Sequence, residues 1–490
     1  MSSPHRHHRS DLVRIAFEAM VERGLAPVFP LAVHAQVDAL TGPAHDADPH
    51  IRDLRALPWC SLDNDDSMDL DQLTVCEPLD HPDFRVRVAI ADVDALVPKD
   101  SPVDAHARIN TASVYTSAQV FPMLPTRLSN DLSSLNAHED RLAIVTEFIV
   151  HREGTVSHAK VYRARVRNQA KLAYDAVSAW LDEQGAMPEA MAAVPEMAQQ
   201  LRWQDQLAQR LRQRRHSEGS LELETLQPRA VFDGERVVGF AQQVQNRGRQ
   251  LIEEFMIAVN THTAQYLLQH GGASLRRVVR SPERWQRIVE LARQHGESLP
   301  RLPDSKALEG FLARQHKADP LRFPDLSLRV VKLMGSGEYV VEQAHGEPIG
   351  HFGLALRDYT HSTAPNRRYP DLVTQRMAKA AIAGQRMPYT AAELQALALH
   401  CTAQEDAARK VERRLRKSEA ALFLEGRVGE YFDALVSGLN DSGVWVRVIA
   451  PPVEGKLVGR VPELAMGSRL RVRLTATNVD RGFIDFSLAP

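Results

Sequence analysis

Ser61-Leu62-Asp63-Asn64-Asp65-Asp66-Ser67-Met68-Asp69-Leu70-Asp71-Gln72-Leu73 is the stretch on which the reading turns. Its carboxylates (Asp63, Asp65, Asp66, Asp69 and Asp71) repel one another, and either solvent or a bound cation relieves the repulsion. If residues 68–73 are extended, Asp69 and Asp71 share one face, because side chains alternate along a strand. Asp63, arriving from a preceding loop, can join them. Hard oxygen ligands suit Mg²⁺ or Mn²⁺ rather than zinc. A calcium-binding EF-hand loop needs Gly at its sixth place and Glu at its twelfth. Counted from Asp63, those places hold Met68 and Thr74. A solvated acidic turn stays open as the bland alternative. Divalent ions held by carboxylates activate water and stabilise a leaving oxygen during in-line attack at phosphorus.

Outward from this stretch the chain mixes both secondary structures. Residues 84–91 begin with strict alternation and end apolar, as a strand entering a core does. Residues 142–150 read as another strand. Residues 195–215, 251–269, 372–383 and 391–426 read as helices. Upstream, residues 10–40 read as two short helices forming a small helix-turn-helix-like appendage. Asp11 caps the first, Leu12, Ile15, Ala16 and Met20 recur on one face, and Gly24 ends it. Residues 41–54 look like a linker. After Gly426 come about five short alternating stretches separated by Gly, Pro and Asn/Asp turns, the pattern of a small OB-type barrel. The expected fold class is α+β, divided into an N-terminal helical appendage and linker (1–54), a large catalytic domain (55–424) and a C-terminal β-barrel (425–490).

Composition narrows the class. The 490 residues exceed one ordinary core, and 44% hydrophobic with 25% charged content is that of a soluble globular protein. No apolar run reaches the ~20 residues needed to span a bilayer. The His/Arg-rich N-terminus (His5 to Arg9) has no secretory core, so a cytoplasmic location is expected. Cys60, Cys76 and Cys401 contain no C-x-x-C pair and read as reduced thiols. The net charge of −2 excludes a uniformly basic glove for nucleic acid. Bases nevertheless crowd 210–215, 367–368 and 409–417, which permits basic walls around an acidic centre.

The acidic stretch is followed, in order, by Val88-Ala89-Ile90-Ala91-Asp92-Val93, Ser113-Val114-Tyr115, Pro122-Met123-Leu124-Pro125 and residues 128–135 (Leu-Ser-Asn-Asp-Leu-Ser-Ser-Leu). Residues 251–260 (Leu-Ile-Glu-Glu-Phe-Met-Ile-Ala-Val-Asn) and 359–372 (Tyr-Thr-His-Ser-Thr-Ala-Pro-Asn-Arg-Arg-Tyr-Pro-Asp-Leu) complete the series. This ordered set resembles the RNase II/RNB family of 3′-to-5′ exoribonucleases, and residues 426–488 resemble the S-one-type OB-fold RNA-binding domain that closes those enzymes. The resemblance implies that Asp63, Asp69 and Asp71 bind Mg²⁺ (Mn²⁺ as substitute) and act in catalysis. It implies that Tyr115 positions the 3′-terminal nucleotide, that Glu253 packs near the terminal base and that Arg367 holds the scissile phosphate. A guanidinium fork suits that last task. Glu419 is a looser match to a glutamate touching the terminal nucleotide. Taken singly, Tyr115 reads as an ordinary half-buried tyrosine, Glu253 as solvent-facing, Arg367 and Arg368 as surface charges, and Asp92 as a strand-end cap.

Three departures stand out. The family motif ends in two adjacent aspartates, whereas Gln72 takes the second place here; an amide oxygen can ligate a metal but carries no charge. Leu223 stands where a base-stacking phenylalanine is common and offers no π-face. Only about sixty residues precede the acidic motif, too few for two cold-shock domains of on the order of 70 residues each, so a more open entrance and further digestion of structured RNA are expected. The expected activity is processive hydrolysis of single-stranded RNA to nucleoside 5′-monophosphates by a monomer with no membrane partner. The rivals are a catalytically weak RNA-binding protein keeping the fold, and a metal-dependent phosphodiesterase acting on DNA or a small phosphoester.

Overall fold

In the computed structural model, residues 7–80, 82–225, 228–242, 244–270, 272–343, 346–440 and 442–489 are described. The central feature is a seven-stranded sheet. Its order is Arg52–Asp53, Val156–Arg167, Asp140–Val150, Phe84–Ala91, Gln72–Pro78, Cys60–Asp63, Ala170–Ala173. The inner pairings are antiparallel and the two outermost are parallel.

Strand Phe84–Ala91 explains how the sheet is covered. Val86, Val88 and Ile90 enter a core shared with helices Met197–Ser217 and Arg247–Gln269, through Leu201, Leu207, Leu251 and Phe255. Ala89 and Ala91 face the opposite core, with Leu372, Val373 and Met377 of helix Tyr369–Ile382. Both faces are dry, which is why the strand loses its alternation at its end. The segment read as a linker ends in the edge strand Arg52–Asp53, paired with Val156–Arg167.

Helix Ala391–Leu424 joins two cores. Its 34 residues extend about 50 Å. Thr390 and Glu393 form a capping box at its start. Leu394, Leu397 and Cys401 enter the sheet core, whereas Ala408, Val411 and Leu415 enter the barrel core. The barrel is closed, in the order Tyr431–Asn440, Gly443–Val448, Glu454–Leu457, Phe483–Leu488, Arg469–Asn478.

The N-terminal helices Arg9–Glu22 and Leu31–Asp38 are present, and they serve different cores. Leu12, Ile15, Ala16 and Met20 pack with the barrel and the long helix, whereas Val33 and Val37 join the sheet core. Asp11 is not the cap residue: it sits three places inside the helix, where its carboxylate accepts the His8 backbone N–H at 2.9 Å. Gly24 follows the helix at φ 73°, a left-handed turn that glycine adopts without strain. The three cysteines are buried free thiols. Among the described residues, no helix is long and apolar enough to cross a membrane.

Candidate active site

The acidic stretch leaves the sheet at Asp63 and re-enters it at Gln72. Between them the backbone is fixed by side chains. The Ser134 hydroxyl donates to Met68 O at 2.8 Å and accepts from Leu70 N at 3.0 Å. Leu135 N donates to Leu70 O at 2.9 Å. Ala91 N then reaches Asp71 O at 3.0 Å, extending the ladder by one residue.

This anchoring separates the aspartates by environment. Asp65 and Asp66 are exposed, Asp63 and Asp69 half-buried, and Asp71 is 2% exposed. Asp71 Oδ1 accepts from Asn366 N, and its Oδ2 from Arg367 Nε, both at 3.3 Å. Burial pushes the Asp71 carboxyl up to about 7; Arg367 opposes that shift and Asp69 adds to it. Burial also raises the Asp69 carboxyl, against Arg367 and a hydrogen bond with Tyr115. The Tyr115 hydroxyl is pushed up to about 12, mainly by burial and then by Asp69 and Asp71. Burial works against the Arg367 charge, yet Asp71, Tyr115, Asp69 and Asp63 hold it more firmly protonated than a free arginine.

The structure therefore brings Asp63, Asp69, Asp71, Tyr115 and Arg367 together from segments far apart in the chain. Segment 364–369 is zipped to 111–113: Ser113 N donates to Arg367 O at 3.0 Å and Tyr369 N to Thr111 O at 2.8 Å. Asn260 ties in the helix Arg247–Gln269 by accepting from Ser362 N and Oγ at 2.8 and 2.9 Å. The Arg367 side chain is 46% exposed, and among the described residues its Nε alone makes a hydrogen bond, to Asp71. Arg368 turns away to Asp371 at 2.7 Å.

The other expected residues lie around this centre. Leu223 and Glu253 line a cavity of about 840 Å³ with Tyr174, Arg249, His216 and Glu222. Burial raises the Glu253 carboxyl, and Arg215 opposes that shift. The cavity adjoins the acids: Arg249 lies over the Tyr174 ring at 4.6 Å and donates to Asn64 Oδ1 at 2.9 Å, and the Tyr174 hydroxyl feels the charge of Asp63. Glu419 is buried and accepts from Ser117 N at 3.2 Å and Oγ at 3.1 Å. Its carboxyl is pushed up to about 7 by burial, which the Ser117 bonds oppose. Glu412, two helical turns earlier, lines a second cavity of about 210 Å³ with Tyr115 and Arg367. It accepts Tyr115 N at 3.1 Å.

Sequence reasoning passed over Glu412, Tyr174 and Arg249. Glu412 is an acid inside the basic run 409–417, and that oddity was its one available signal. Gln72 is 8% exposed and donates its amide nitrogen to Leu62 O at 3.3 Å. Asp92, read as a cap, is instead a buried ion-pair member, 2.7 Å from Lys379 Nζ and 3.5 Å from Arg163 Nη2.

The donor set fits a hard divalent cation. The charges of Asp63, Asp69 and Asp71 all act on the one Arg367 guanidinium, so negative charge is in excess, although the three carboxylates do not bring oxygens all within 4.8 Å of one another. Among the described residues, the His/Cys/Asp/Glu group whose ligand atoms all lie within 4.8 Å is a different one, His216, Glu222 and Glu309. Those groups already have protein partners. His216 Nδ1 lies 2.9 Å from Ser220 O and 3.3 Å from Glu309, and Arg212 pairs with Glu222.

Comparison with known proteins follows this geometry. The family model described as the RNB domain matches residues 51–384, and that of the RNase II-type exonuclease C-terminal S1 domain matches residues 430–489. Ribonuclease R of Escherichia coli K12 is 30% identical over 499 residues, covering 94% of this chain and 60% of the relative. The chain thus spans about three fifths of that relative's length. Mycoplasma genitalium RNase R in complex with ribose methylated single-stranded RNA superposes with TM-score 0.88 at 22% identity, covering 98% of this chain and 78% of the other. The same enzyme with double-stranded RNA gives 0.86. Yeast Ssd1, a pseudonuclease, gives 0.68 at 16% identity over 84% of this chain and 51% of the other.

Proposed function

This chain belongs to the RNB family, and on that premise we propose that it is a magnesium-dependent, processive 3′-to-5′ exoribonuclease releasing nucleoside 5′-monophosphates from single-stranded RNA. The observation that carries the reading is the meeting of Asp69, Asp71, Tyr115 and Arg367 around one buried carboxylate. Asp63, Asp69 and Asp71 would hold the cation, with Mn²⁺ as a substitute. Bound there, a divalent ion supplies Lewis acidity toward a phosphoryl oxygen and lowers the pKa of water. Gln72, expected among the metal ligands, donates its amide nitrogen to Leu62 O, which leaves its amide oxygen as the one atom it could offer a cation.

The remaining roles belong to side chains. Arg367 keeps its two terminal amino groups for a phosphate while Asp71 fixes its Nε. Tyr115 seats the last nucleotide at the mouth of the acidic centre. From the cavity beside the acids, Glu253 packs near the terminal base and Leu223 offers a base apolar contact alone. Discrimination against DNA rests on the 2′-hydroxyl. The reading includes a monomer acting in the cytoplasm, which sedimentation and fractionation would test.

The test is Asp71→Asn. Cleavage falls about 100-fold or more, while RNA affinity is largely retained. Equal cleavage by the variant overturns the role of Asp71. Parallel RNA and DNA substrates separate the phosphodiesterase alternative. Partial digestion of structured RNA also belongs to this reading, supported by the relative solved with double-stranded RNA. A hairpin with a 3′ overhang is expected to be shortened into its stem, and a stall many nucleotides earlier counts against that.

A second reading is a catalytically weak RNA-binding protein. The position of Gln72 and the likeness to a pseudonuclease favour it. Time courses on labelled RNA with and without Mg²⁺ decide between the two, because binding without nucleotide release is its signature.

A further inference from the structure

The tyrosine at the acidic centre stands on a very small element. Val114–Tyr115 pairs with Val120–Phe121, and the turn between them closes through Thr116, whose N and Oγ both donate to Gln119 O. Such a hairpin has almost no stability of its own. Alternation sends Val114 and Phe121 backward into the barrel core and leaves Tyr115 37% exposed on the other side. The backward face meets Leu12, Ile15, Ala16 and Met20 of helix Arg9–Glu22 in that core.

Polar anchors complete the support. Glu412 takes Tyr115 N, and Glu419 takes Ser117 N and Oγ. The third anchor comes from the start of the chain. Arg9 donates Nε at 3.2 Å and Nη2 at 3.0 Å to the single carbonyl of Ala118. The guanidinium lies 5.0 Å over the Phe232 ring, and Arg9 N donates to Glu235 O at 3.1 Å. Among the described residues Arg9 makes no ion pair, so its fork is committed to the tip of this hairpin.

We propose that the N-terminal helix is a part of the catalytic scaffold that positions Tyr115, with Arg9 as the positioning residue acting through the Ala118 carbonyl. The proposal rests on the reading of Tyr115 as the seat of the 3′-terminal nucleotide. A tyrosine on an unsupported hairpin samples several placements, and a misplacement of about 1 Å costs as much as 10²-fold in rate. Arg9 removes that freedom from three residues away without touching RNA.

The experiment is a double-mutant cycle in the full chain, with Arg9→Met and Tyr115→Ala alone and together. Each variant is assayed for kcat and KM on a short labelled RNA and for its thermal midpoint. Arg9→Met keeps the apolar stem and removes the donors. It is expected to lower kcat/KM about tenfold when Tyr115 is present and less than about twofold in the Tyr115→Ala background, while its effect on the midpoint is the same in both. Arg9→Lys, which offers a point donor without the fork, recovers part of the loss. Arg14→Gln breaks the same helix's tie to Asp480 at 2.7 Å and is expected to leave kcat/KM within about twofold. Equal loss from Arg9→Met in both backgrounds, or the same loss from Arg14→Gln, overturns the proposal, because general loosening of the helix would then explain the effect. If the wild-type chain releases no nucleotides, the nuclease reading fails on its own. The same cycle read by RNA affinity then decides the positioning role, and absence of coupling between Arg9 and Tyr115 overturns it.

Discussion

Glu419 is a carboxyl group kept in a place that disfavours its charge. It is 1% exposed, and among the described residues its short partners are the amide and hydroxyl of Ser117. Burial lifts it from 4.5 to about 7. Because the folded state holds this proton more tightly than the unfolded chain, the folded state is favoured below about 4.5, and that advantage is lost as pH rises through about 7. The shift corresponds to about 3 kcal/mol between the two limits. Glu419→Gln keeps the shape and an acceptor for Ser117 without a charge. The variant is expected to match the wild type near pH 4.5 and to exceed it in stability above pH 7, by at most about 3 kcal/mol. Urea unfolding at both pH values checks this, and a parallel pH dependence in the two proteins would refute it.

At the scale of the element, the acidic loop depends on one hydroxyl. Ser134 Oγ serves Met68 O and Leu70 N together, in a buried position. Ser134→Ala leaves the Leu70 N–H without an acceptor, at a cost of about 1–3 kcal/mol. Asp69 then loses its fixed place beside Asp71, so cleavage is expected to fall about tenfold or more with little change in RNA affinity. Stopped-flow cleavage and fluorescence anisotropy on the same RNA read the two effects separately. This loop also marks where the sequence stopped being legible. Alternation located strand Phe84–Ala91 at its true ends, because its first half alternates Phe84 and Val86 with half-buried Arg85 and Arg87 and its second half is apolar on both faces. An extended course over 68–73 could be posed only as a condition, and regular pairing begins at Gln72. Leu70 is pinned by Ser134 and Leu135, more than sixty residues away, and no local pattern records that. Asp92 was misread as a cap for the same reason, since its partner Lys379 lies 287 positions on. The ordered motifs, in contrast, named Asp63, Asp69, Asp71, Tyr115 and Arg367 as a set, and the first four all act electrostatically on Arg367. Glu412 escaped because a lone acid in a basic helix resembles a surface ion pair.

Across the whole molecule the formal charge is only −2, so any grip on a polyanion must come from local groups whose charge is not already spent. Many of the cations are spent: Arg376, Lys379 and Arg163 are bound to Asp92, Asp94, Asp104 and Asp46, and Arg215 is bound to Glu254. Arg413 and Arg416 differ. They lie on the long helix facing a cavity of about 210 Å³ that Pro324, Leu328 and the barrel residues Ser437 and Glu454 also line, and among the described residues neither makes an ion pair. That cavity lies where the long helix meets the barrel, and on the proposed reading a strand running toward the barrel would pass over both arginines. If each neutralises one phosphate, the slope of log K against log salt carries about −0.7 from each on single-stranded RNA. Arg413→Gln together with Arg416→Gln is therefore expected to make the slope shallower by about 1.4 and to weaken binding at low salt much more than at high salt. Cleavage at saturating RNA should be nearly unchanged, because neither residue reaches the acidic centre. Anisotropy titrations between 50 and roughly 300 mM KCl measure the slope. An unchanged slope would show that RNA enters by another face, and the barrel would then have to be assigned a different part in holding the polymer.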